Sequence, residues 1–346
     1  MKAPFVYFGG KSTIAHVVWQ YLGQPKHYIE PFFGSGAVLL NRPNHNPKIH
    51  LETINDKDGF ISNVWRALQK NPDEVANYCD YPVNHADLSA RTKYLNENKN
   101  ILLENLINDP EYCAPKLAGY WIWAASCWIG GGLTSSKSLK IPHLTGTGGG
   151  VNKISMIPCL GNRRYRGVNR ISQIPFIMHR GRGTNKVSII SVPDFVTPEI
   201  IPAPETSVQD PYNKNIYTWF RQLSERLRYV RVVCGDWTRV CGGNWQDETG
   251  DVGIFFDPPY SGEDIDKTLY EHNSISLTKD VREWCRERGN KDSYRIVIAG
   301  YEEHEELLKY GWTSQKWKKN KGYEKNDNRK RETLYISPHC IKNTLF

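Results

Sequence analysis

The sequence predicts an α/β fold: a mostly parallel sheet, closed by a terminal antiparallel hairpin and interrupted by a long insertion. Three observations carry this reading. Short apolar runs alternate with helix-patterned segments at both ends of the chain. The last two strand patterns, "TSQKWKK" and "ETLYISP", flank the polar run "NKGYEKNDNRKR" as the arms of a hairpin would. From Gly130 to about Pro204 regular patterning gives way to Gly, Ser, Asn and Pro, which suits an insertion that folds on a partner or a long disordered loop.

Taken in order, a Gly9-Gly10 turn leads into a helix from Ser12 to Leu22. The string "GGKST" resembles the end of a nucleotide-triphosphate loop. That loop needs a further glycine at position 5, where Phe5 stands, and a strand leading into it, so the pattern argues against an ATP site. A strand around Tyr28 to Glu30 precedes the Gly-rich turn "PFFGSG" and a helix beginning at Ala37. "KIHLETIND" reads as a strand ending at Asn55-Asp56. Phe60, Ile61, Val64, Trp65 and Leu68 then recur at helical spacing. Pro72 to Leu106 reads as polar helix, and "LAGYWIWAASCWIGGG" brings Trp121, Trp123 and Trp128 onto a helix that three glycines stop. After the insertion come a helix over Asn215 to Leu227, strands "YVRVVCGD" and "GIFFDPPY", helix "TKDVREWCRERG" and strand "YRIVIAGY". The expected division is 1–72 with 215–346 as one domain and 73–214 as the insertion.

Composition narrows the class. Eight scattered cysteines form no C-x-x-C pair, which suggests reduced thiols and no bound metal. No apolar run approaches the ~20 residues of a membrane span, and "MKAPFVYFGG" lacks a signal-peptide pattern. The expected setting is cytoplasmic. Eleven Trp and nineteen Tyr can fill cores or stack on bases. The net charge of +8 is unevenly spread. Between Glu111 and Asp194 there is no acidic residue, whereas Lys116, Lys137, Lys140, Lys153, Arg163, Arg164, Arg166, Arg170, Arg180, Arg182 and Lys186 all fall there. Solvated basic faces interleave acids, so an acid-free stretch points to contact with a polyanion. The tail run from Lys316 to Arg331 can add phosphate contacts or form a solvated turn.

The sharpest motif is Asp257-Pro258-Pro259-Tyr260, at the carboxyl end of the buried strand "GIFF". Open α/β sheets bind ligands outside those ends. Two consecutive prolines stiffen the corner and remove two backbone donors. The Asp257 carboxylate and the Pro258 carbonyl are then adjacent acceptors, matched to the two N–H bonds of an exocyclic amine, with the Tyr260 ring beside them to face a flat base. Holding both N–H bonds localises the amine lone pair and makes it nucleophilic. As a bland alternative, the corner is a rigid turn with a capping Asp. The G-x-G turn at Gly34 and Gly36 lacks the third glycine of a dinucleotide fingerprint, because position 39 is Leu39. Asp56 can accept from ribose hydroxyls or cap the following helix.

Together, "FVYFGGK", "IEPFFGSGAVLLN", "TINDKDGFISNVWRAL", "VVCGD" and "FFDPPY" resemble the Dam-like adenine-N6 DNA methyltransferases, over about residues 1–70 and 215–338. The G-x-G block precedes the D-P-P-Y block, which is the alpha order of amino-methyltransferases. The resemblance implies a Rossmann-like sheet that binds S-adenosylmethionine, with the intervening segment as target-recognition domain, in a build similar to phage-type enzymes with large insertions. It implies that Tyr7 and Lys11 help hold the cofactor, Lys11 meeting the methionine carboxylate or another acceptor nearby. It further implies that Glu30, Phe32, Gly34 and Gly36 line the cofactor turn, that Asp56 takes the ribose, and that Asp236 meets the cofactor's adenine. Asp257 to Tyr260 would receive a flipped adenine. Lys137, Lys140, Arg163, Arg164, Arg166, Arg170, Arg180 and Arg182 would contact double-stranded DNA, at guanine edges or at phosphates. No obligatory protein partner is expected, as monomer or homodimer. Two alternatives stay open: cytosine-N4 methylation, and an inactive nucleic-acid binder on a methyltransferase core.

Overall fold

A computed structural model describes residues 1–5, 11–127, 216–259, 271–317 and 332–341. The chain divides into two compact units, one of residues 1–3, 9–58 and 229–346, the other of 4–8 and 59–228.

The first unit holds the sheet. Its strands are β1 (His27–Glu30), β2 (Leu51–Asp56), β3 (Val230–Cys234), β4 (Val252–Phe256), β5 (Tyr294–Gly300), β6 (Thr313–Lys316) and β7 (Thr333–Ile336), in the order β3-β2-β1-β4-β5-β7-β6. The first five run parallel to one another, and β7 runs antiparallel between β5 and β6. The terminal hairpin read from the sequence is therefore present. β1 and β4 have every residue buried, and β5 all but Arg295, as expected for strands covered on both faces. Ile29, Ile254, Phe256, Ile296 and Ile298 join Val281, Cys285 and Trp312 in one apolar cluster.

Chain direction across the sheet matters for the site. After β1 the chain proceeds outward to β2 and β3, then crosses back to lay β4 on the other side of β1. The carboxyl ends of β1 and β4 thus flank a topological switch point, the position at which open α/β sheets bind ligands.

Helices α1 (Ala15–Leu22) and α2 (Ala37–Leu40) belong to this unit. α1 starts three residues after Ser12, beyond a turn in which Ile14 N–H donates to Lys11 O at 3.1 Å. α2 covers its apolar run Ala37–Leu40 and ends there. The Asn41 side chain donates to Ala37 O at 2.7 Å, and Pro43 follows, so the helix cannot continue. Trp19 Nε1 donates to Val38 O at 2.8 Å and ties α1 to α2.

The second unit is helical in its described part: α3 (Gly59–Lys70), α4 (Pro72–Cys79), α5 (His85–Asn108), α6 (Pro115–Cys127) and α7 (Ile216–Leu227). The single polar helix expected over Pro72 to Leu106 is two. Pro82 interrupts it, and the Asn84 side chain restarts it by accepting the Asp87 N–H at 2.8 Å. Trp65, Trp121 and Trp123 are core residues here, with Phe5 stacked edge-on to Trp121 at 4.8 Å. Those indoles fill an interior and are not a base-stacking surface. Arg66 is buried and donates to Leu106 O at 3.0 Å, closing the carboxyl end of α5.

Completing the first unit, α8 (Thr238–Cys241) follows β3 and α9 (Glu271–Arg288) follows the corner after β4. No helix among the described residues is long and apolar enough to cross a membrane. The seven described cysteines are free.

Candidate active site

The site assembles where strands of the sheet unit end. β1 delivers residues 31–36, a turn that needs two left-handed backbone positions. Glycines occupy both, Gly34 with φ 49° and Gly36 with φ 66°. Gly36 N–H donates to Phe33 O at 2.9 Å, and α2 begins at the next residue. Phe32 packs its ring 6.3 Å from Phe256 of β4 and keeps part of its surface exposed.

Asp56 ends β2 and faces this turn. Its Oδ2 accepts the Gly34 N–H at 2.9 Å and its Oδ1 accepts the Asp58 N–H at 2.9 Å. Burial, and secondarily the neighbouring Asp58, lift its carboxyl to about 7. Beside it, Asn55 is buried and holds three strand ends together. Its side-chain amide donates to Pro31 O, after β1, and to Gly235 O, after β3, both at 3.0 Å. Asp236 lies next to Gly235 and is exposed. Its carboxylate opens α8 by accepting from Thr238 N–H at 3.1 Å and from the Thr238 hydroxyl at 2.8 Å.

On the other side of β1, β4 runs out into Asp257. The Asp257 side chain is 21% exposed, Pro258 is buried and Pro259 is exposed. Asp257 Oδ1 accepts from Lys11 Nζ at 2.9 Å. The same ammonium lies 2.9 Å from Glu332 Oε1, at the start of β7. Lys11 and Glu332 are each 3% exposed. Burial alone would depress the lysine, yet the two flanking carboxylates, Asp257 first, override it and leave its pKa above the ordinary value. Glu30, at the end of β1, is buried. It accepts from the Tyr28 hydroxyl at 2.8 Å and from the Leu39 backbone N–H. Burial pushes its carboxyl well above the usual carboxylate range, and the Asp257 charge adds to this.

Of the residues singled out by sequence, Lys11 and Asp257 meet directly, as do Gly34 and Asp56. Glu30 sits within electrostatic reach of Asp257. Asp236 reaches the group through the backbone clamp of Asn55. Tyr7, Tyr260, Lys137, Lys140, Arg163, Arg164, Arg166, Arg170, Arg180 and Arg182 lie outside the described residues. Sequence reasoning missed Glu332 and the clamping role of Asn55. An acid opening the apolar strand "ETLYISP" was a usable signal for Glu332, masked by the charged run before it.

Such a sheet, with a glycine turn after β1, a carboxylate after β2 and an acidic proline corner across the switch point, is consistent with a Rossmann-like methyltransferase domain. Residues 7–127 match the family model of the D12 class N6 adenine-specific DNA methyltransferases. That match supports adenine-N6 methylation at specific sites in DNA. Use of S-adenosylmethionine is implied by that family. The match ends before β4, and so before the Asp257 corner. No curated protein matches the chain.

The residues present suit such a cofactor. A glycine turn leaves its backbone open to close approach, Asp56 offers acceptor oxygens for ribose hydroxyls, and Asn55 Oδ1 is a buried acceptor lacking a hydrogen-bond partner among the described residues.

Proposed function

We propose that Asp257 and the Pro258 carbonyl hold the N6 amine of an adenine flipped out of duplex DNA, with the Tyr260 ring stacked on the base. S-adenosylmethionine, when bound, supplies an electrophilic methyl group on a sulfonium. Gly34 and Gly36 let its backbone-facing side approach the turn, Asp56 accepts from its ribose, and Phe32, Glu30, Tyr7 and Asp236 complete the pocket. Asp257 and Pro258 take one amine proton each in hydrogen bonds. This pulls the nitrogen from planar towards tetrahedral and frees its lone pair for in-line attack. Lys11 fixes Asp257 in that orientation.

Target recognition falls to the insertion over 73–214, with residues 1–72 and 215–346 as the catalytic domain. The basic residues from Lys137 to Arg182 contact phosphates and base edges, and their groove contacts offset the few kcal/mol that unstacking the base costs.

The single observation that carries this reading is Asp257 at the β1/β4 switch point, held by a buried lysine but still one-fifth exposed. The test is transfer of labelled methyl to DNA followed by nucleoside analysis. Asp257→Ala is expected to lower transfer at least ~10³-fold, the scale of losing a transition-state hydrogen-bonding group, with DNA binding retained. Full transfer by that variant refutes the assignment. Methylated cytosine in the digest would move the base identity to N4 chemistry.

A further inference from the structure

The end of β3 is stitched to the end of β2. Gly235 N–H donates to Asp56 O at 3.1 Å, and the Asn55 amide donates to Gly235 O at 3.0 Å. Two exposed charged side chains follow, Asp236 and Arg239. They stand three residues apart, with Arg239 N–H donating to Asp236 O at 3.0 Å, a spacing that lets opposite charges meet. They form no ion pair among the described residues, because each is held elsewhere. Asp236 is bonded through Oδ1 to Thr238. Arg239 folds back over Gly235, where an added Cβ would come within 2.5 Å of its Cδ, and its Nη1 donates to Cys234 O at 2.7 Å. Asp236 Oδ2 and Arg239 Nε and Nη2 carry no hydrogen bond or ion pair among the described residues.

We propose that Arg239 is a specificity-determining residue of the cofactor site: its guanidinium donates to the ring nitrogen beside the amine of the cofactor's adenine, while Asp236 accepts from that amine. The inference rests on the reading that Asp56 takes the ribose and Asp236 the adenine. Asp56 is bonded to Gly34 on its β1 side, so the base attached to the ribose turns towards its other neighbour, β3. Adenine presents a donor, its N6 amine, next to an acceptor, N1 on one side and N7 on the other. A carboxylate and a guanidinium that stay apart, each with bonding capacity left over, match such a pair. The tether to Cys234 O also places the planar fork in advance, so less freedom is lost on binding. Hypoxanthine carries an oxygen in place of the amine, and that oxygen would face the Asp236 carboxylate.

The experiment measures, by calorimetry and without DNA, the affinities of S-adenosylhomocysteine and of its 1-deaza and 7-deaza analogues. Each analogue replaces one of the two ring nitrogens with C–H. Wild type is compared with Arg239→Met, which keeps the stem and removes the donors. Wild type is expected to lose on the order of tenfold on one of the two analogues, the scale of a hydrogen bond to a charged group. Arg239→Met should bind S-adenosylhomocysteine on the order of tenfold more weakly, and should bind that analogue equally well to within about twofold, since the nitrogen no longer has a donor to lose. A purely structural role for Arg239 would weaken all three ligands alike and leave their ratios as in wild type, and that result overturns the proposal. Wild-type protein indifferent to both analogues overturns it as well, and leaves the cofactor reading standing. Should Arg239→Met fail to fold, as read by circular dichroism, Arg239→Gln, too short to serve both Cys234 O and the ring, carries the same comparison. Wild-type protein that binds none of the three ligands at millimolar concentration fails the cofactor reading itself, and this inference with it.

Discussion

Replacing Lys11 with Met keeps the length of the side chain and removes its charge. The consequence can be worked from three groups. Asp257 and Glu332 each lose a partner at 2.9 Å, and two carboxylates then face one another. Removing one member of a buried ion pair costs about 3–5 kcal/mol. Asp257 is 21% exposed and retains some hydration, so the low end applies, about 3 kcal/mol. For a unit of roughly 150–250 residues each kcal/mol moves Tm by about 2–4 °C, so the variant should melt roughly 6–12 °C lower at pH 8. The sign of the pH effect is fixed as well. Lys11 has a raised pKa in the folded protein, so its contribution is fully present below its unfolded value and is lost only as pH rises through the folded one. Wild type therefore loses nothing from Lys11 between pH 5 and 8. In Lys11→Met the crowded carboxylates bind a proton more tightly when folded, so the deficit should shrink as pH falls across that range. Adding Glu332→Gln removes one of the two facing carboxylates and should recover about 1–2 kcal/mol, a non-additivity that independent sites would not give. Thermal melts from pH 5 to 8 on the two variants measure all of this. A Lys11→Met protein melting within about 2 °C of wild type, with no pH trend, would refute the claim that these three groups form one buried electrostatic unit.

Three other outcomes can be checked. Asp56 has its carboxyl raised to about 7, above an unfolded value of about 3.9, so its contribution to stability falls as pH rises between those values. Asp56→Asn should therefore raise Tm of the ligand-free protein at pH 8 and lose that gain towards pH 4, while wild-type affinity for S-adenosylmethionine weakens below pH 7 and the variant's stays flat. Asn55→Ala strands two carbonyls, each now bonded at 3.0 Å, and should cost roughly 2–4 kcal/mol and weaken cofactor binding, read by denaturant unfolding and titration. Replacing Arg163, Arg164, Arg166, Arg170, Arg180 and Arg182 with Ala should reduce the slope of log affinity for DNA against log salt by up to about 5, leaving cofactor binding intact. An unchanged slope removes those arginines from the phosphate contacts.

Much of this protein is written locally. Alternating apolar runs and helical spacing marked β1, β2, β4 and β5 and the helices α3, α7 and α9, because buried parallel strands and amphipathic helices each impose a period on the chain. The glycine turn at Gly34 and Gly36 and the proline corner at Asp257 were legible because their backbone demands admit few residue types. Boundaries were less so: a proline split one expected helix into α4 and α5.

What the sequence alone determined, then, is the α/β class, the terminal hairpin and the acidic corner itself. Only the tertiary structure decided which charge faces that corner. Lys11 and Glu332 stand near opposite ends of the chain, and nothing local relates them. They meet because β7 inserts between β5 and β6, which brings the start of that strand to the site, and because a charge buried there must find its counter-charge in space and not in sequence.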